Sequence, residues 1–181
     1  NKETIVDLGA GEGRLSVQLG FVEGVKEILS IEPSNKSRIR AIERFEQVNA
    51  KEGYVQPQSL PGSLYYFDSR LQNKDVIVLC EVIEHIDENR LPKIFETILN
   101  DYRPKTLILT TPNQEYNVLY EMNEEMRHDD HRFEWTRAQF AQNVDEWSLK
   151  YPYQVSLQGI GEEHPSYGHP TQMAIFRREE E

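Results

Sequence analysis

Two short segments hold residue types that can do chemistry together. Cys80-Glu81-Val82-Ile83-Glu84-His85 places two carboxylates and an imidazole side by side, directly behind an apolar run. Arg127-His128-Asp129-Asp130-His131-Arg132-Phe133-Glu134-Trp135 adds two more imidazoles next to a Phe-x-Trp pair. Hard carboxylate oxygens mixed with imidazole nitrogens suit a catalytic divalent ion such as Mn²⁺, Mg²⁺ or Fe²⁺, and not a closed thiolate zinc site. Glu81, Glu84 and His85 stand at i, i+3 and i+4, which brings all three to one face of a helical turn. Like charges so close repel, so their co-location calls for a compensating cation. The plainer alternative is a solvated helix start in which His85 is a satisfied polar residue. His128 and His131 are also three apart, and either one could complete a Glu-Glu-His-His set.

A second constellation lies near the start of the chain. Asp7-Leu8-Gly9-Ala10-Gly11-Glu12-Gly13 has the spacing D-x-G-x-G-x-G behind a strand-like Thr4–Leu8. Glycines there allow a sharp turn and a close approach of backbone to ligand, which a Cβ would obstruct. About twenty residues on, Glu32 ends a second strand, where an acid can accept hydrogen bonds from ribose hydroxyls. An acid ahead of the first glycine sits poorly beside a pyrophosphate and better beside a cationic or uncharged ligand. The pattern therefore favours a nucleoside site over a dinucleotide site or a merely structural turn.

Around the histidine segment, Arg127, Arg132 and Arg137 form a basic group, and Trp135 and Phe133 could stack on a base or fill a core. Asn113, after Thr110-Thr111-Pro112, can bond a substrate or shape a turn. Lys36, Arg38, Arg40 and Arg44 read instead as a solvated helix face balanced by Glu43 and Glu46.

These residues need a frame to hold them. Strands are expected at Thr4–Leu8, Glu27–Ile31, Ser63–Phe67, Val76–Cys80, Thr106–Thr110, Tyr153–Gln158 and Gln172–Arg177. Helices are expected from Arg14 to about Leu19, from a Ser34 cap to about Lys51, and from an Asp87 cap to about Asn100. A Thr136/Gln139 capping box opens the last one, which runs to about Lys150. The Tyr54–Gly62 stretch reads as a loop. Strands alternating with helices imply an α/β, doubly wound and mostly parallel sheet whose last strand pair is antiparallel. Ligands bind such sheets beyond the carboxyl ends of the strands, and every candidate segment follows a strand.

Composition narrows the function classes. A chain of 181 residues with 38% apolar content forms one domain with a real core. No apolar run approaches membrane-spanning length, and the single cysteine excludes an internal disulfide framework. A reducing, cytoplasmic setting is the default. A net charge of −11, from 31 acidic against 20 basic residues, argues against charge-driven binding along a nucleic-acid duplex, DNA included, but not against grasping one RNA end.

With these residues laid out, the whole chain resembles the Hen-type small-RNA 3′-terminal ribose 2′-O-methyltransferases. Asp7 to Gly13 matches the family's S-adenosylmethionine loop, Glu81-Val82-Ile83-Glu84-His85 its E-x-x-E-H segment, and Asp130 to Arg137 its D-H-x-F-E-W-[ST]-R segment. The resemblance implies a seven-stranded, Rossmann-like methyltransferase sheet and S-adenosylmethionine held at Asp7, Gly9, Gly11, Gly13, Glu32 and Cys80. It also implies one Mn²⁺ or Mg²⁺ ion on Glu81, Glu84, His85 and His131, with His128 ranked second. Asn113, Arg127, His128, Arg132, Trp135 and Arg137 are then the candidates to meet RNA. The reaction implied is metal-dependent methylation of the 2′-OH of the 3′-terminal ribose. The ending Pro170-Thr171-Gln172-Met173-Ala174-Ile175-Phe176 looks like the bacterial branch, whose partner is a polynucleotide kinase-phosphatase-ligase in RNA repair. Residues 1–181 are expected to be one methyltransferase domain, excised from or N-terminally incomplete within a longer protein. The rival readings are a metal-dependent O-methyltransferase of a small vicinal diol and a non-catalytic RNA 3′-end binder.

Overall fold

The central strands are apolar on both faces, and that decides the architecture. Along Thr4–Leu8 (β1) and Val76–Cys80 (β4), alternate residues enter opposite cores: Val6, Leu8, Ile77 and Leu79 on one side, Ile5, Val76 and Val78 on the other. A strand buried on both faces must be covered by helices on both, the signature of a parallel, doubly wound sheet. A computed structural model describes residues 2–49, 51–122 and 125–180. Its seven strands run in the order β3-β2-β1-β4-β5-β7-β6, where β2 is Glu27–Ile31, β3 Gln58–Leu60, β5 Thr106–Pro112, β6 Tyr153–Ile160 and β7 Thr171–Arg178. The first five pair in parallel, while β7 lies antiparallel between β5 and the edge strand β6.

Arg14–Leu19 (α1) covers the smaller core with Leu15 and Leu19. Leu91–Glu96 (α3) and Arg137–Lys150 (α4) cover the larger one, where Phe95 stacks on Trp147 with ring centroids 3.7 Å apart. The α4 start is fixed by the expected capping box between Thr136 and Gln139. Asn35–Glu46 (α2) starts at the expected Ser34 cap but ends earlier than the pattern predicts. Phe45 is its last buried anchor; Val48 is only half-buried, so nothing repays extending the helix. Residue 50, within the longer expected span, lies outside the described residues.

Two further expectations are corrected. Ser63–Phe67 is a turn, not a strand: the Ser63 side chain accepts from Tyr65 N and its carbonyl from Tyr66 N, a local arrangement that competes with a ladder. The strand falls instead at Gln58–Leu60, inside the stretch read as loop. Asp87 makes no side-chain cap; a 3₁₀ turn at Glu88–Arg90 leads into α3, which widens into a π turn over Thr97–Tyr102. No helix among the described residues is long and apolar enough to cross a membrane.

Gly13 closes the turn between β1 and α1 at φ 77°, and a Cβ there would stand 2.6 Å from the Phe45 ring of α2. Gly13→Ala combines that clash with left-handed strain, so a loss of about 2 kcal/mol is expected. That corresponds to a drop of roughly 4–8 °C in Tm, measurable by thermal denaturation.

Candidate metal and cofactor site

Strand order reverses between β1 and β4, so their carboxyl ends open a crevice at the switch point. The glycine loop leaves β1 there. Gly9 N and Ala10 N each donate to Ile31 O at 2.9 Å, which ties the loop to the end of β2. Just beyond, the Glu32 carboxylate accepts from Gly11 N at 3.1 Å and from Ser34 N at 2.8 Å. Arg40 reaches Glu12 at 2.6 Å and Arg44 donates to the Glu12 carbonyl, so these two arginines brace the loop as well as facing solvent. Asp7 is buried behind the loop and accepts from Ser16 Oγ at 2.7 Å. Burial pushes its carboxyl up to about 6. Cys80 is half-buried, its sulfur 3.4 Å from Thr110 Oγ1, and burial raises its thiol pKa.

The second loop leaves β4 beside the first. Glu81 adopts a left-handed conformation (φ 54°), held by bonds from its N–H to Thr110 O and Oγ1 at 3.1 and 3.2 Å. Ile83–His85 then forms a single 3₁₀ turn rooted by the fully buried Ile83. A left-handed residue followed by a tight turn replaces the regular helical face the spacing predicts. The Glu81 carboxyl nevertheless stands close enough to Glu84 to perturb its titration. Glu84 is 1% exposed and accepts from Thr111 Oγ1 at 3.0 Å. Burial first, and the adjoining Glu81 second, push the Glu84 carboxyl up to about 9.

The histidine segment is pinned against this turn by a backbone bond from Arg132 N to Glu84 O at 2.6 Å. One ligand atom each from Glu84, His85 and His131 then lie within 4.8 Å of one another. His85 and His131 meet edge to face, with centroids 4.8 Å apart. His85 Nδ1 lies 3.2 Å from Asp130, and His131 Nδ1 lies 2.7 Å from Glu134, whose side chain is wholly buried. The His128 ring meets that of His131 edge to face at 5.0 Å and stands outside the three-residue group.

The other substrate candidates divide. Trp135 and Phe133 are core residues, and Asn113, 1% exposed, uses its amide to hold Tyr167 O and His169 O. Arg127 points inward, donating to Asn117 Oδ1 and Asn113 O, and Arg137 is clamped by Glu115 and Ser166 O. Arg132, its side chain 65% exposed and 3.8 Å from the similarly exposed Asp87, and the exposed His128 are the candidates left facing solvent. Reasoning from the sequence missed Thr111, Asn117, Asp130 and Glu134. Glu134 had a visible signal, an acid three residues beyond a candidate ligand histidine; Asn117 had none.

Sheet order, glycine loop and acidic strand end together define a methyltransferase fold. A family model described as a methyltransferase domain matches residues 1–164. The crystal structure of the methyltransferase domain of bacterial CtHen1 superposes with a TM-score of 0.84 at 35% identity, covering 97% of this chain and 89% of that one. The small RNA methyltransferase HEN1 superposes at 0.88 with 34% identity over 97% of this chain and 23% of that one. A small RNA 2′-O-methyltransferase of Arabidopsis thaliana is 35% identical over 97% of this chain. The chain belongs to the methyltransferase-domain family, in its Hen1 branch. It spans 21% of the Arabidopsis relative's length and 49% of a Xenopus tropicalis relative's.

Asp7 and Glu84 both titrate above the ordinary carboxyl range, so each favours the fold while protonated and loses that contribution as pH rises. For Asp7 the window runs from 3.8 to about 6, and for Glu84 from 4.5 to about 9. In chelator, the urea midpoint should therefore fall between about pH 6.5 and about pH 8.5. Glu84→Gln should flatten that interval while keeping any slope at lower pH that belongs to Asp7.

Proposed function

We propose that this chain transfers a methyl group from S-adenosylmethionine to the 2′-hydroxyl of the 3′-terminal ribose of RNA. The reading is carried by the Glu84, His85 and His131 cluster, with Glu81 on Glu84, opening at the same switch point as the glycine loop. The donor set fits a hard divalent ion such as Mn²⁺ or Mg²⁺: carboxylate oxygens and imidazoles, with no thiolate in the group. The elevated Glu84 carboxyl marks a place where a cation would relieve the crowding of two acids. When bound, such an ion would supply positive charge that holds a vicinal diol and eases loss of a hydroxyl proton.

The chain's own residues divide the remaining work. Gly9 and Gly11 leave the loop without side chains, and open space lies where a Gly11 Cβ would stand. Glu32, held by two backbone N–H groups, presents its carboxylate for ribose hydroxyls of a nucleoside cofactor. Asp7 and Cys80 serve that site from behind, as supports of the loop and strand end. Glu81, Glu84, His85 and His131 would hold the ion, and the last of these is shielded from water by its burial. Arg132 and His128 stand at the rim for the RNA end. The names of the curated relatives, small RNA 2′-O-methyltransferases, support the same substrate class. The resemblance of the ending Pro170–Phe176 to the bacterial branch favours a kinase-phosphatase-ligase partner, which co-purification with such an enzyme would test.

The deciding assay is transfer from labelled S-adenosylmethionine to short RNAs ending in 2′-OH or 2′-deoxyribose, with and without Mn²⁺. Metal-dependent labelling of the 2′-OH strand alone is expected; equal labelling of both strands, or labelling of a small catechol in preference to RNA, overturns the reading. Glu84→Ala and His131→Ala should each lower turnover on the order of 100-fold or more. Cofactor affinity by calorimetry should stay within about threefold, since neither residue lies in the glycine loop.

A further inference from the structure

Glu134 has no task in the reaction as described, yet few carboxylates in the chain are so enclosed. Its side chain has no exposed area. Two donors and a ring nitrogen converge on it: Asn117 Nδ2 at 2.6 Å on one oxygen, and Arg127 N at 2.8 Å with His131 Nδ1 at 2.7 Å on the other. A buried carboxylate is costly unless its lone pairs are filled and its charge offset. Here the first condition is met directly, and the Arg127 guanidinium supplies the second through Asn117 Oδ1. Arg127 N and Asn117 Nδ2 can only donate, so both Glu134 oxygens already act as acceptors, an environment that favours a ring Nδ1–H as the third donor.

We propose that Glu134 is the positioning residue of the site: it holds His131 as the Nδ1–H tautomer, with the bare Nε2 turned toward Glu84 and His85. The inference rests on the reading of that cluster as an ion site, and it assigns to Glu134 and Arg127 a role distinct from ligation or RNA contact. A ring free to carry its proton on Nε2 would present a donor where a lone pair is needed. Asp130 approaches His85 in the same way, but its side chain is 73% exposed, so water can replace it. The Glu134 side chain has no exposed area.

The test compares the full chain with Glu134→Ala and Glu134→Gln, using imidazole ¹⁵N NMR of the metal-free proteins and Mn²⁺ titration by electron paramagnetic resonance. The wild type should show His131 as Nδ1–H. E134A should shift it toward Nε2–H and weaken Mn²⁺ binding by about 10–100-fold. E134Q, whose amide oxygen still accepts, should restore the tautomer and part of the affinity. S-adenosylmethionine affinity reports that each variant is folded. An Nε2–H ring in the wild type, or a folded E134A with unchanged tautomer and Mn²⁺ affinity, overturns the proposal; should E134A not fold, the wild-type spectrum and E134Q decide it. A wild type that binds no Mn²⁺ would sink the ion reading alone, because the tautomer comparison still judges the role of Glu134.

Discussion

Two acids pressed together at the end of β4 set the terms for the rest of the site. A carboxyl as buried as Glu84, with the Glu81 carboxyl beside it, is held against both desolvation and charge repulsion. Left to itself, a flexible loop would let them part. It cannot, because Thr110 fixes Glu81, Thr111 fixes the Glu84 carboxyl, and Arg132 N fixes its carbonyl. Both threonines belong to β5, the strand next to β4, so the parallel register Cys80↔Thr110 places the two hydroxyls. The local crowding is thus imposed by sheet pairing, and the histidine segment docks onto a surface already fixed in shape.

The same sheet joins the two halves of the crevice. A Cβ on Gly9 would stand 2.9 Å from a Val82 methyl, so the valine between the two acids lies against the bare backbone of the cofactor loop. Adjacent strands deliver both loops, and one apolar contact fixes their separation. Reactions between two bound groups depend on such fixed separations.

Much of this was legible in the sequence. Buried strand runs gave the doubly wound sheet, because a strand apolar on both faces admits few other arrangements. The Thr136/Gln139 box located α4 to the residue. The E-x-x-E-H spacing brought its members together even though the backbone there is a left-handed residue plus a 3₁₀ turn, since both routes gather side chains only a few residues apart. What failed was local and had tertiary causes. Tyr65, Tyr66 and Phe67 look like a strand, but a serine turn and solvent claim them. Trp135 and Arg127 carry residue types that recognise nucleic acid, yet packing drew the first into the core and a buried acid drew the second inward. Residue type names a capability, and only the fold decides which capability is used.

The inward turn of Arg127 and the pairing of Arg137 with Glu115 have a kinetic consequence. With Arg137 paired to Glu115 and a net charge of −11, the chain offers little long-range attraction to a polyanion. Encounter with a nucleic acid should therefore proceed without electrostatic acceleration and with a shallow dependence on ionic strength. Such a surface gives a polyanion no electrostatic track to slide along. A strand would meet it by unsteered collision, and any selectivity would be exerted after contact.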